Sequence, residues 1–296
     1  MTARDGSAAP AGTGPRPAGA AAPLIEVRGL RYLYPGAAGE ALAGLDLTIG
    51  AGEFVAVVGA NGSGKSTLAR LLGGLENPGA ADLAVVCGHD LLDAEGRMAA
   101  RRDVGVLFQN PENQLVAECV EDDVAFGLEN LRWTPEDMRA RVDEMLARFG
   151  LAELRRREPH LLSGGQKQRT ALAGVLAVPR RALVLDEPTA MLDPAGRAEV
   201  LQAACELRDE GLAIVYVTQE MDEVMAADRA VALDAGTVVY EGDVPGLFRD
   251  AALVRRLGLG LPAAGEVALE LGSRGRAFAV LPLTADELLA ALGEAT

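Results

Sequence analysis

Nine residues, Gly59-Ala60-Asn61-Gly62-Ser63-Gly64-Lys65-Ser66-Thr67, constrain this chain more than any others. They fit the spacing G-x-x-x-x-G-K-[ST] and stand between an apolar run, 53–58, and a helix-forming run, 68–72. Three glycines let the backbone curl so that successive N–H groups face one centre. That centre lies at the positive end of the following helix and suits a chain of phosphates. Lys65 is placed to bridge the β- and γ-phosphates, and Ser66 to ligate Mg2+.

A second motif follows the apolar run 182–185, a strand of the kind found in the middle of a parallel sheet. Asp186-Glu187-Pro188-Thr189 then begins at the strand's C-terminal end, the ligand-binding edge of such sheets. Asp186 is placed to hold Mg2+, directly or through water. Glu187 points elsewhere, towards the γ-phosphate, where it would orient and deprotonate a water, a role worth about 10²–10⁴ in rate. The third motif is Leu162-Ser163-Gly164-Gly165-Gln166-Lys167-Gln168-Arg169. Ser163 caps a helix, Gln166 completes a Ser-x-x-Gln box, and the two glycines bare the backbone. Taken alone, this reads as a routine helix cap before it reads as a second anion site.

Around these motifs, 24–27, 45–49, 83–87, 104–108 and 213–217 are expected as strands, with an antiparallel start before the phosphate loop. A hairpin is expected for 229–233 and 237–241 around Asp234-Ala235-Gly236. From about 112 to 178 the texture is helical. Thr134, Pro135 and Asp137 start one of these helices, and Gly150 stops it. Residues 1–23, rich in Ala, Gly and Pro, are expected to be a disordered tail without the apolar core of a signal peptide. A small helical extension is expected over 261–296, its last helix opened by a capping box of Thr284 and Glu287.

Lys and Arg number 28 against 43 Asp and Glu, a net charge of −15. A field of that sign repels nucleic acid and anionic lipid, so attachment to a membrane has to run through a protein partner. Local arginine clusters such as 155–157 are solvated helix faces on this reading. No apolar run approaches the roughly 18–20 residues of a membrane span. Three widely spaced cysteines, Cys87, Cys119 and Cys205, suggest neither disulfides nor a zinc site and fit a reducing compartment.

The three motifs together resemble the ATP-binding cassette (ABC) ATPases over about 24–259. The resemblance implies an α/β, P-loop NTPase fold: an ABC cassette over 24–260, with a mostly parallel central sheet, an N-terminal antiparallel β part and an inserted helical subdomain at 112–178. It implies ATP and Mg2+ as cofactors, with 59–67 as the ATP-binding loop. It also implies a dimer with a second ABC ATPase subunit, the same or a related chain. Ser163, Gly164, Gly165 and Gln166 of one cassette would then face the ATP held by the other. Gln109 matches the glutamine whose amide oxygen reaches Mg2+, and Tyr34 matches the aromatic that stacks on adenine, with Tyr32 a near rival. One position departs. Where the family usually has Thr-His, this chain has Thr218-Gln219. Gln219 donates a hydrogen bond but cannot carry a proton, so hydrolysis is expected to proceed on Glu187 more slowly than with histidine.

Within that family, Phe108-Gln109-Asn110-Pro111-Glu112-Asn113-Gln114-Leu115 is similar to the energy-coupling factor (ECF) subfamily. So are Glu121-Asp122-Asp123-Val124-Ala125-Phe126-Gly127 and Ala190-Met191-Leu192-Asp193-Pro194. The resemblance implies an ATPase that powers uptake of a vitamin or of cobalt or nickel ions from the cytoplasmic face of the membrane. Its partners would be a transmembrane coupling protein, received over 110–129, and a substrate-binding membrane subunit. For 261–296 it implies a dimerisation aid, beside the plainer reading of a tail packed on its own domain. Two other readings stand: the ATPase of another ABC importer, or a soluble ABC protein acting on ribosomes or DNA. A single cassette and the −15 charge weigh against the last.

Overall fold

The computed structural model describes residues 22–293, so the tail expected over 1–23 lies almost wholly outside the described residues. The chain opens with β1 (Ile25–Tyr32), β2 (Leu42–Ile49) and β3 (Phe54–Gly59), and α1 (Lys65–Leu72) follows β3. Next come β4 (Leu83–Val86), β5 (His89–Asp90), α2 (Ala94–Asp103) and β6 (Val104–Leu107). The helical stretch holds α3 (Val120–Asn130), α4 (Pro135–Arg148) and α5 (Gly164–Ala177). After it, β7 (Ala182–Asp186), α6 (Pro194–Asp209), β8 (Ala213–Val217) and the short α7 (Met221–Val224) alternate. The hairpin β9 (Arg229–Asp234) and β10 (Thr237–Gly242) closes the cassette. Four helices end the chain: α8 (Val244–Arg249), α9 (Ala251–Arg256), α10 (Ala263–Ser273) and α11 (Ala285–Gly293).

The central sheet has six strands in the order β10-β9-β3-β8-β7-β6, parallel throughout except for the edge strand β10. Every residue of β3, β7 and β8 is buried, as strands covered on both faces must be. Their side chains sort by the two-residue period of a strand. Val55, Val57, Ala182, Val184, Val215 and Val217 pack with α1 and the N-terminal sheet. Leu183, Leu185, Ile214 and Tyr216 point the other way, against Val124, Leu146, Leu172 and Leu176 of the helical part. The expected helical subdomain thus has no core apart from the sheet: α5 covers β6 and also anchors α3 and α4.

The expected antiparallel start is present, since β1 pairs antiparallel with β2. It grows into a four-stranded sheet, β2-β1-β4-β5, because the chain returns after α1 to lay β4 along β1. The hairpin forms with Ala235 and Gly236 both at positive φ, 46° and 79°, which matches the twist of the paired strands. Thr134 caps α4 by accepting from the Asp137 N–H at 3.2 Å, and Gly150 beyond its end is left-handed, φ 63°. The last expected box forms only by half. Thr284 accepts from the Glu287 N–H, but the Glu287 carboxylate takes the N–H of Leu283 instead of Thr284.

In the C-terminal extension, Leu283 is buried with Phe248, Leu247 and Met221, and the Ala263 N–H donates to Asp222 at 2.9 Å. The extension therefore packs on its own cassette. Val267, Leu269, Val280 and Leu289 face outward from it.

Candidate nucleotide site

The parallel strands place four loops side by side at their C-terminal edge. The 59–64 loop leaves β3, Asp186 and Glu187 leave β7, Thr218 and Gln219 leave β8, and Gln109 lies two residues beyond β6. Only glycine serves at two points of the first loop. A Cβ on Gly59, φ 146°, would stand 2.3 Å from the carbonyl oxygen of Leu233. One on Gly64, φ 106°, would stand 2.6 Å from that of Ala41. The loop is thereby pressed against β9 and β2, and α1 starts from it with no side-chain cap and no acidic residue in its first turn. By contrast, α4, α5 and α6 are each capped by a side chain. The amides at the start of α1 are left for a ligand to satisfy.

Lys65 is buried at 5% exposure and donates to the carbonyl oxygens of Gly59 at 2.8 Å and Ala60 at 3.0 Å. It has no ion pair among the described residues, and its hydrogen bonds go to loop carbonyls. Burial pushes the ammonium below its ordinary pKa, against the pull of Glu187 and Asp186. The Ser63 hydroxyl beside it is buried without a hydrogen-bond partner. A buried cation and an orphan hydroxyl in a loop of open amides match an anion with several oxygens.

Ser66 donates from Oγ to Asp186 Oδ1 at 3.0 Å. Burial pushes the Asp186 carboxyl above the usual carboxylate range, and the Ser66 hydrogen bond opposes that shift. The donor set fits Mg2+, which the family implies. A hydroxyl and a carboxylate are hard oxygen ligands, and a divalent cation would relieve the cost of the buried charge.

Glu187 stands at positive φ, 49°, unusual for a non-glycine residue and fixed here by its N–H donating to the carbonyl of Val217 at 2.9 Å. The turn separates its side chain from that of Asp186. One carboxylate oxygen accepts from Gln109 Nε2 at 2.8 Å and the other from Gln219 Nε2 at 2.5 Å. A carboxylate that accepts on both sides fixes which face each glutamine amide presents. The same Gln219 nitrogen donates to Asn61 Oδ1 at 2.9 Å, so it ties Glu187 to the phosphate loop.

Tyr34 and Tyr32 separate clearly. Tyr32 ends β1, is buried, and donates to Glu76 at 3.0 Å. Tyr34 is half-buried beside the loop, its hydroxyl 3.1 Å from Thr67 Oγ1 and its ring edge-on to that of Tyr32. Ser163, Gly164, Gly165 and Gln166 form the expected capping box at the start of α5. Gly164 and Lys167 share a surface pocket with Gln109, Met191 and Leu192. Among the described residues, no hydrogen bond joins 163–166 to 59–67. Residues 59–67, 109, 186, 187 and 219 are brought together, while 163–166 meet this group only at the pocket shared with Gln109.

Three residues near the site escaped sequence reasoning. Thr189, Thr218 and Glu223 are buried under the loops that carry Glu187 and Gln219, and both threonine hydroxyls donate to Glu223. Glu223 belongs to Glu220-Met221-Asp222-Glu223, a stretch with no local sequence signal for a buried carboxylate.

The ABC transporter family profile matches residues 42–190. An energy-coupling factor transporter ATP-binding protein, EcfA1, of Clostridium novyi is 45% identical over 91% of this chain and 97% of that protein. The protein of the same name from Symbiobacterium thermophilum is 48% identical over 91% and 96%. Among solved structures, cbiO1 of Clostridium perfringens, part of the ABC transporter complex cbiONQ, superposes with a TM-score of 0.72. It is 33% identical and covers 86% of this chain and 98% of that one. The dimeric cassette MJ0796, bound to ADP and Pi, superposes with a TM-score of 0.68 at 27% identity, over 74% and 98%. With the loop, the acidic pair and the glutamines gathered at one sheet edge, the chain belongs to the ABC transporter family, as an ATP-hydrolysing protein of the energy-coupling factor type.

Proposed function

We propose that the residues at this sheet edge hold MgATP and hydrolyse it, and that the chain does so as one half of a cassette pair seated on a membrane importer. The amides of 59–64 and the Lys65 ammonium bind the phosphates, and Tyr34 stacks on adenine. Ser66, Asp186 and Gln109 hold Mg2+, which when bound would neutralise phosphate charge. Glu187 takes the proton of the attacking water, and Gln219 orients that water and the γ-phosphate by hydrogen bonds alone. The observation that carries this reading is the pair of glutamine amides aimed at Glu187 from two other loops, which leaves its carboxylate oriented over the phosphate loop. The Glu187→Gln variant tests it. MgATP affinity should stay within about threefold while kcat falls about 10²–10⁴-fold. Full activity in that variant would remove Glu187 from the reaction.

Ser163, Gly164, Gly165 and Gln166 complete the site of a second cassette, the same or a related chain. The dimeric MJ0796 neighbour, and the lack of any hydrogen bond from 163–166 to 59–67 among the described residues, support that arrangement. No helix among the described residues is long and apolar enough to cross a membrane, so membrane proteins supply the pathway. A groove of about 920 Å³ in the helical part, lined by Leu115, Val116, Glu118, Asp122, Glu158 and Lys167, is the seat for a transmembrane coupling protein. That protein would join a substrate-binding subunit for a vitamin or for cobalt or nickel, at the cytoplasmic face. The exposed Val267, Leu269, Val280 and Leu289 of the extension are surface for the second cassette.

A further inference from the structure

Beneath the two loops that carry Glu187 and Gln219 lies a carboxylate with no role in the chemistry above. Glu223, in α7, is 5% exposed. Its Oε1 accepts from the Thr189 hydroxyl at 2.6 Å, and its Oε2 from the Thr218 hydroxyl at 2.7 Å. Thr189 is two residues beyond Glu187, and Thr218 immediately precedes Gln219. Both threonines are 1% exposed. The Thr218 hydroxyl also accepts from the Glu220 N–H at 3.0 Å, which turns the chain sharply past Gln219.

A third hydroxyl belongs to the same cluster. Tyr216, fully buried in β8, turns its hydroxyl towards Glu223 and Thr189. Burial, and after it the nearby Glu223, pushes the phenol far above its ordinary pKa, so it remains a neutral wall to this pocket. In such a dry setting a carboxylate bonded by two hydroxyls is a strong tie, and one left unbonded is costly.

The geometry points to Glu223 as a positioning residue: its two hydroxyl bonds set the spacing between the Glu187 loop and the Gln219 loop, and so hold the 2.5 Å contact between those side chains. This rests on the reading of Glu187 and Gln219 given above. The pocket of about 200 Å³ lined by Glu187, Thr189, Ala190, Thr218, Gln219 and Glu220 is where a change of spacing would be felt. Backbone bonds fix the loop starts, the Glu187 N–H on the Val217 carbonyl and the Thr218 N–H on the Val57 carbonyl, while the Glu223 side chain joins Thr189 to Thr218 beyond them.

Two readouts on the full chain test the assignment, one of them independent of ATP hydrolysis. Amide hydrogen exchange without nucleotide should quicken about tenfold or more in both 187–190 and 218–220 in Glu223→Ala, with the phosphate loop unchanged. The isosteric Glu223→Gln should restore most of that protection, and Thr218→Val, which keeps the shape and removes one hydroxyl, should quicken exchange in both segments. In steady-state ATPase assays, Glu223→Ala should lower kcat about 10-fold to 100-fold with KM for MgATP within about twofold. That loss should shrink to about threefold or less in a Gln219→Ala background, where the spacing no longer matters. Quickened exchange confined to α7, or a kcat loss equally large in both backgrounds, would overturn the assignment. A parent chain without ATPase activity would fail the preceding reading, and the exchange experiment would still decide whether Glu223 sets the loop spacing.

Discussion

On the proposed reading, Gln219 sets how protons are handled at this site. A histidine there would titrate near pH 6.5, while an amide neither gains nor loses a proton in the working pH range. Its Nε2 donates to Glu187 and to Asn61, and on the proposed reading the γ-phosphate competes for these two hydrogens. Gln219→His should raise kcat by at least about tenfold and add an inflection near pH 6.5 to the pH–rate profile of the full chain. An unchanged rate and a flat profile would show that the amide already does all that this position can do. Asp186 gives a second residue-scale expectation, on stability. The folded chain keeps the Asp186 proton to higher pH than the unfolded chain, because burial raises that pKa. Its contribution is therefore fully present below the ordinary carboxylate value and is lost as pH rises through the raised one. At neutral pH, Asp186→Asn keeps the shape and removes the charge. Nucleotide-free protein should gain about 1 kcal/mol, or about 2–4 °C in Tm, and lose the magnesium-dependent part of its ATP affinity. Calorimetry with and without Mg2+ reads both.

At the scale of elements, α5 has one helix start with two uses. Ser163 and Gln166 satisfy each other's backbone donors within the chain, while the bare glycines between them remain open. Ser163→Ala should cost about 1 kcal/mol of stability by denaturant unfolding. It should leave MgATP affinity of the isolated chain unchanged and slow hydrolysis only when a second cassette is present. Elements of this kind were legible because short-range chemistry writes them: glycine spacing for the phosphate loop, a Ser-x-x-Gln box for α5, a fully apolar run ending in Asp186 for β7. The sheet order was less legible. Nothing local says that β8 lies between β3 and β7, or that β4 turns back onto β1, since pairing is set by packing among distant segments. The buried tie at Glu223 was illegible for the same reason. Its partners are 34 and 5 residues away, and an acidic residue next to Asp222 gives no sign that it points inward. The positive φ of Glu187 was equally hidden, because it follows from a strand-to-strand hydrogen bond and not from the residue itself.

For the whole molecule, charge governs what can dock. The net −15 is not spread evenly around the groove of the helical part. Its two basic side chains are already matched, Lys167 to Glu112 and Arg156 to Glu121. Glu118 and Asp122 remain exposed, with no basic partner among the described residues; Asp122 accepts only from the Cys119 thiol. Leu115 and Val116 supply an apolar floor between the charges. A segment that fits has an apolar face and a positive charge, and its attraction weakens as salt screens it. The double variant Glu118→Lys with Asp122→Lys should therefore abolish recovery of membrane partners in a pull-down from detergent-solubilised native membrane. These positions lie outside the 59–67, 186–187 and 219 cluster, so ATP hydrolysis by the detached chain should stay within about twofold of the parent. Raising salt from 0.05 to about 0.5 M should release the parent's partners in the same way that the variant does. Partners retained by the reversed groove at low salt would mean that the membrane proteins seat on a different face of the cassette.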